Sequence, residues 1–69
     1  MIFSPTVRDI AIETTCSNLI QAGLLQLRAT PRYMTVLTQC DDDELALILD
    51  KSRLLLDSYY ESNARARRN

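Results

Sequence analysis

Apolar side chains recur along this chain at helical spacing, in three blocks set apart by hydroxyl, proline and acidic residues. Ser4 followed by Pro5 opens the first block. A serine hydroxyl accepts from an orphan backbone N–H, and proline at the first helical position has no N–H to leave unpaired. From about Pro5, residues Ile12, Cys16, Leu19, Ile20, Leu24 and Leu27 fall on one side of a 3.6-residue period, which predicts a helix with this stripe in the core. The other side is unusual. Thr14, Thr15, Ser17, Asn18, Gln21 and Gln26 are all uncharged, with Val7, Ala11, Ala22 and Leu25 among them. A solvated helix face normally carries ionised groups, so this helix is expected to be covered on more than one side, most simply by self-association. Gly23, the only glycine, either caps the helix or packs closely inside it.

Thr30 and Pro31 repeat the hydroxyl-then-proline start and predict a short second helix from about Pro31 to Gln39. Met34, Leu37 and Tyr33 face inward on it, and Arg28 to Thr30 is a tight connection. A third start follows at Cys40-Asp41-Asp42-Asp43-Glu44, where carboxylates cap free N–H groups and meet the positive end of the helix dipole. The last helix runs from about Asp42 to Ala64. Leu45, Ile48, Leu49, Leu55, Leu56, Tyr59 and Tyr60 share one arc of it, with Asp50, Asp57 and Glu61 opposite. Leu47 and Leu54 break that pattern: they lie on the polar side seven residues apart, as a narrow apolar seam of the kind that meets another helix. The expected fold is all-α, a small three-helix antiparallel bundle (long, short, long) over residues 1–64, completed by dimerisation, with a basic tail at 65–69.

Length and composition sharpen this picture. A single domain of 69 residues hides only about 60% of the surface its unfolded chain exposes, so the core is thin. With 46% hydrophobic and 25% charged residues the chain is expected to fold, and a net charge of −1 demands neither nucleic acid nor an anionic membrane as partner. The longest stretch free of ionisable acids and bases, Thr14 to Leu27, holds Thr, Ser, Asn, Gln and Gly and is too polar to span a bilayer. The first residues, MIFSPTVRDIA, lack the basic start and unbroken apolar run of a secretory signal, so a reducing, cytoplasmic setting is expected. Cys16 and Cys40 sit among apolar neighbours, where free cysteine behaves as a small core residue, although an even count leaves one bridge open.

The candidate chemistry is that of binding. There is no histidine, Lys51 is the only lysine and stands in no Ser-Lys pattern, and one glycine cannot build a phosphate-cradling loop, so no enzyme, cofactor or resident metal is expected. The Asp41 to Glu44 cluster reads first as a helix cap. As a divalent-cation site it lacks the glycine and distal glutamate of a helix-loop-helix calcium motif, and an acidic docking patch is the third reading. Arg65, Arg67 and Arg68 complement the negative end of the dipole or reach phosphates or an acidic protein surface. A helix-turn-helix built on the second and third helices would present Asp42, Asp43 and Glu44 to the major groove, where phosphates repel them.

The run Asp42-Asp43-Glu44-Leu45-Ala46 resembles a pentapeptide of the small Hha-type nucleoid modulators, helical proteins that act by joining a larger DNA-binding partner. Leu47 to Arg53 departs from that family's pattern and the first helix does not match, so no residue role carries over. The expectation is a small regulatory adaptor or inhibitor that binds a larger protein through Leu47, Asp50 and Leu54 and the basic end at Arg65, Arg67 and Arg68. The alternative is a dimeric nucleic-acid-associated regulator that brings two basic tails together.

Overall fold

The computed structural model describes residues 3–67, and within them three α-helices and no strand: α1 at Pro5–Gln21, α2 at Thr30–Thr38 and α3 at Asp42–Arg67. Each start follows from local chemistry. The Ser4 hydroxyl accepts from the Val7 N–H at 3.2 Å with Pro5 in the first turn, and an Asp41 carboxylate oxygen accepts from the Glu44 N–H at 2.8 Å. The second start differs from the expected one. A 3₁₀ turn at Leu27–Ala29 runs directly into α2, and the Thr30 hydroxyl turns back to the Gln26 carbonyl at 3.0 Å, so it does not cap α2.

Gly23 resolves the two readings left open for it: it ends α1. Its φ of +75° lies in the left-handed region that glycine enters without a side-chain clash. The Gly23 N–H bonds the Ile20 carbonyl at 3.0 Å and the Leu24 N–H bonds the Leu19 carbonyl at 2.9 Å, which satisfies two carbonyls of the last turn. Leu24 and Leu27 therefore lie beyond the helix, 60% and 75% exposed, and the core stripe expected of α1 stops short of them.

Contacts far apart in sequence set the topology. Arg8 reaches Asp42, Asn18 meets Ser52 and Tyr60 meets Gln21, so α1 and α3 run side by side in the same direction. Arg8 also donates to the carbonyls of Leu37 and Thr38, placing the end of α2 at the start of α1. Consecutive helices are thus antiparallel, and the chain is a small all-α bundle.

The core is thin, as the length implies. Ala11, Ile12, Cys16, Leu37 and Leu45 form its buried cluster, with Phe3, Leu25, Tyr33, Met34, Ile48 and Leu49 packed against it. The uncharged side of α1 is partly used inside the chain itself, because α1 packs against both other helices. Ala11 and Ala22 are buried, and Thr15 is wholly buried with its hydroxyl donating to the Ala11 carbonyl at 2.7 Å. Ser52 of α3, also buried, donates to the Leu49 carbonyl at 2.7 Å and accepts from the half-buried Asn18 amide at 3.2 Å. No buried side-chain polar atom among the described residues lacks a partner, so the polar side chains at this seam carry no unpaired-group penalty.

Both cysteines are free thiols, Cys16 buried and Cys40 half-buried. Burial pushes the Cys16 thiol above its ordinary 9.0. Tyr33 is raised above 10.0, first by burial and then by the nearby Cys16 and Cys40. Each group gives up its proton more readily in the unfolded chain, so the stability it lends is complete at neutral pH and is lost as pH rises through these values. The thermal midpoint is expected to stay level from about pH 6 to 8 and to fall above about pH 9. Cys16→Ala should soften that fall, and a midpoint that holds level into strong alkali would contradict the burial of both groups.

Candidate interaction surface

The outer side of α3 points away from α1. Leu45 and Ser52 mark its buried line, and Leu47 and Leu54 lie half a helical turn around from it, 56% and 66% exposed. Seven residues separate them, so they stack along one strip about 10 Å long. Asp50 is exposed between them. Asp50, Arg53, Leu54 and Asp57 line a shallow depression. All four belong to a single helix, so the depression is an open face and encloses nothing. It suits contact with another macromolecule better than capture of a small ligand.

The structure thus brings Leu47, Asp50 and Leu54 together as the sequence predicts. The basic end lies on the same helix: α3 continues past Ala64, and Arg65 falls in the same angular sector as Leu47 and Leu54, about 16 Å beyond Leu54. Its guanidinium bonds Glu61 at 3.2 Å one turn earlier, with both side chains well exposed. A surface pair of this kind contributes little to stability, but it offsets part of the charge available to phosphates. The side chain of Arg67 and the whole of Arg68 lie outside the described residues.

The acidic cluster at the start of α3 is largely occupied. Asp41 caps the helix. Asp42 accepts from the Arg8 guanidinium at 2.6 Å and from the Phe3 N–H at 2.8 Å. Arg8 in turn donates to the carbonyls of Leu37, Thr38 and Cys40, so one side chain ties together the start of α1, the end of α2 and the start of α3. Sequence reading placed Asp42 in the cap and gave Arg8 no partner, because 34 positions separate them and no local pattern connects them. No group of three or more Cys, Asp or Glu suited to a metal ion occurs among the described residues.

A second exposed apolar region departs from expectation. Leu55, Tyr59 and Tyr60 belong to the arc assigned to the core, yet they are 46%, 39% and 52% exposed. The two tyrosine rings lie 6.0 Å apart, and the Tyr60 hydroxyl donates to the Gln21 side-chain oxygen at 2.8 Å. The sequence carries no signal for this: it predicts a long first and a long third helix, and only the end of α1 at Gln21 leaves the last turns of the α3 arc without a neighbour.

Fold and surface together define a small all-α bundle with an open, leucine-bearing outer helix face. No family model, curated protein or solved structure matches the chain. No helix among the described residues is long and apolar enough to cross a membrane.

Proposed function

We propose that this chain is a small regulatory adaptor or inhibitor that acts by binding a larger protein through the outer face of α3. The observation that carries the reading is the exposure of Leu47 and Leu54 on the side of α3 opposite the core. Two aliphatic side chains in register, flanked by Asp50 and Asp57 on one side and Lys51 on the other, suit an apolar groove with a rim of mixed charge. Compact size and the lack of a histidine or a glycine-rich loop in the sequence favour binding over catalysis. They also suit a cytoplasmic modulator of the kind encoded by phages, plasmids or accessory bacterial loci. Self-association belongs to a different surface, at the far end of α3.

The test is affinity capture from nuclease-treated lysate of the native host, wild type against Leu47→Glu/Leu54→Glu, followed by titration with the purified partner. The double variant should keep its helicity, because both leucines are exposed, while its affinity falls by about 100-fold or more. Equal affinity in the two proteins would remove the outer face from the reading. Capture that requires nucleic acid and weakens steeply with salt would favour the alternative, a regulator that contacts phosphates through Arg65, Arg67 and Arg68.

A further inference from the structure

The apolar arc of α3 continues where α1 stops. The 17 residues of α1 reach about 26 Å and the 26 of α3 about 39 Å, and the Arg8 to Asp42 bond sets their starts side by side. The Asn18 to Ser52 bond sets Gln21, the last residue of α1, level with about residue 55, and the Tyr60 hydroxyl reaches back to Gln21 from the turn beyond, so the turns of α3 from Leu56 on project past α1. Along that projection Leu56, Tyr59, Tyr60 and Asn63 extend, at three- and four-residue steps, the line that Leu45 and Ser52 bury further up. Leu24 leaves the turn three residues after Gln21, also exposed.

We propose that this end of the bundle is a homodimer interface: a second copy, related by a two-fold axis near Tyr59 and Tyr60, lays the projecting end of its α3 into the step beyond α1 and receives the first copy's in its own. Three observations select a second copy. The step and the projection that fills it are made by the same helix, so their lengths match by construction, as a self-complementary two-fold contact requires. The arc residues around that axis, Leu55, Leu56, Tyr59, Tyr60 and Asn63, carry no charge, so like surfaces meet there without repulsion.

Area is the third observation. The chain exposes 5290 Å² at a mass of 7.9 kDa, whereas a self-contained globule of that mass exposes about 4,400 Å². The excess, about 900 Å² over the whole chain, includes the projecting helix, and a standard interface takes ~800 Å² from each partner. The proposal is independent of the outer-face reading, and dimerisation leaves both Leu47 and Leu54 seams open, so the dimer presents two copies of that face.

Sedimentation equilibrium of the full chain at about 100 μM should return twice the 7.9 kDa chain mass. Leu55→Glu/Tyr59→Glu should return a single chain with unchanged far-UV circular dichroism, and Leu47→Glu/Leu54→Glu should remain dimeric while losing the larger partner. A wild type that stays single up to about 1 mM, or a Leu55→Glu/Tyr59→Glu protein that still pairs, overturns the interface. Amide chemical shifts of the wild type on dilution decide the matter even if that variant unfolds. Changes confined to residues 24–27 and 55–66 support the interface, and changes centred on residues 43–54 overturn it.

Discussion

Leu37→Ala is expected to strip the chain of most of its stability and leave it only marginally folded at ambient temperature. Leu37 is fully buried where α2 meets α1 and α3, in the cluster with Ile12, Cys16 and Leu45. Truncating such a leucine removes its transfer free energy and leaves a cavity, a loss of about 3 kcal/mol. A core in a chain this short supplies only ~3 to 5 kcal/mol of net stability, so roughly 1 kcal/mol would remain. Few other large side chains are wholly buried, and the neighbours have little capacity to collapse into the gap. Urea titration at fixed protein concentration, followed by far-UV circular dichroism, should show the midpoint reduced by more than half. Val36→Ala, one residue away and exposed, should stay within about 0.5 kcal/mol of wild type. Equal effects at the two positions would mean that α2 is not held by Leu37.

Arg8→Ala is expected to cost on the order of 2 kcal/mol. It strips Asp42 of its charged partner and leaves carbonyls at the end of α2 without a donor. The Arg8 and Asp42 side chains are each 23% exposed, so water recovers part of the loss and the figure stays below that of a fully buried pair. Arg8→Lys should restore only a fraction, because an ammonium lacks the planar fork that holds a carboxylate and several carbonyls at once. The Arg8→Ala/Asp42→Ala protein should lose about 1 kcal/mol less than the sum of the single variants, the mark of residues that act on each other. Strict additivity in that cycle would show that Arg8 acts through the carbonyls of α2 alone.

Much of the architecture was legible residue by residue. Ser4 with Pro5, and Asp41 ahead of Glu44, announce helix starts because capping is settled within four residues, and the structure shows both hydroxyl and carboxylate in that role. The alternation of Leu45, Ile48 and Leu49 with charged neighbours gave α3 its inner arc, and Leu47 and Leu54 stood out as exposed because they violate that arc. The start of α2 was placed within one residue, but its cap was misread. A threonine before a proline is a cap signal only when its hydroxyl faces forward, and the 3₁₀ turn at Leu27–Ala29 lets Thr30 bond backward to Gln26.

Other features needed the third dimension. Periodicity gave α1 an apolar stripe but did not say where the helix stops, so Leu24 and Leu27 were assigned to the core while Thr15, on the uncharged side, proved fully buried. A buried threonine is invisible to a hydrophobic pattern, since its hydroxyl is satisfied one turn back by Ala11 and only its packing reveals the burial. The Arg8 to Asp42 junction and the Asn18 to Ser52 bond join positions 34 residues apart, and no local preference encodes such a pairing.

Alone, the sequence determined where helices begin, that three of them form, and which leucines break the pattern of α3. Those outcomes depend on short-range hydrogen bonding and on the 3.6-residue repeat, which neighbours in the chain establish by themselves. Only the tertiary structure decided which sides of α1 are covered, what Arg8 holds together, and that α3 outlasts its partner and leaves Tyr59 and Tyr60 bare. Those depend on which segments meet in space, and burial is a property of the neighbour as much as of the residue.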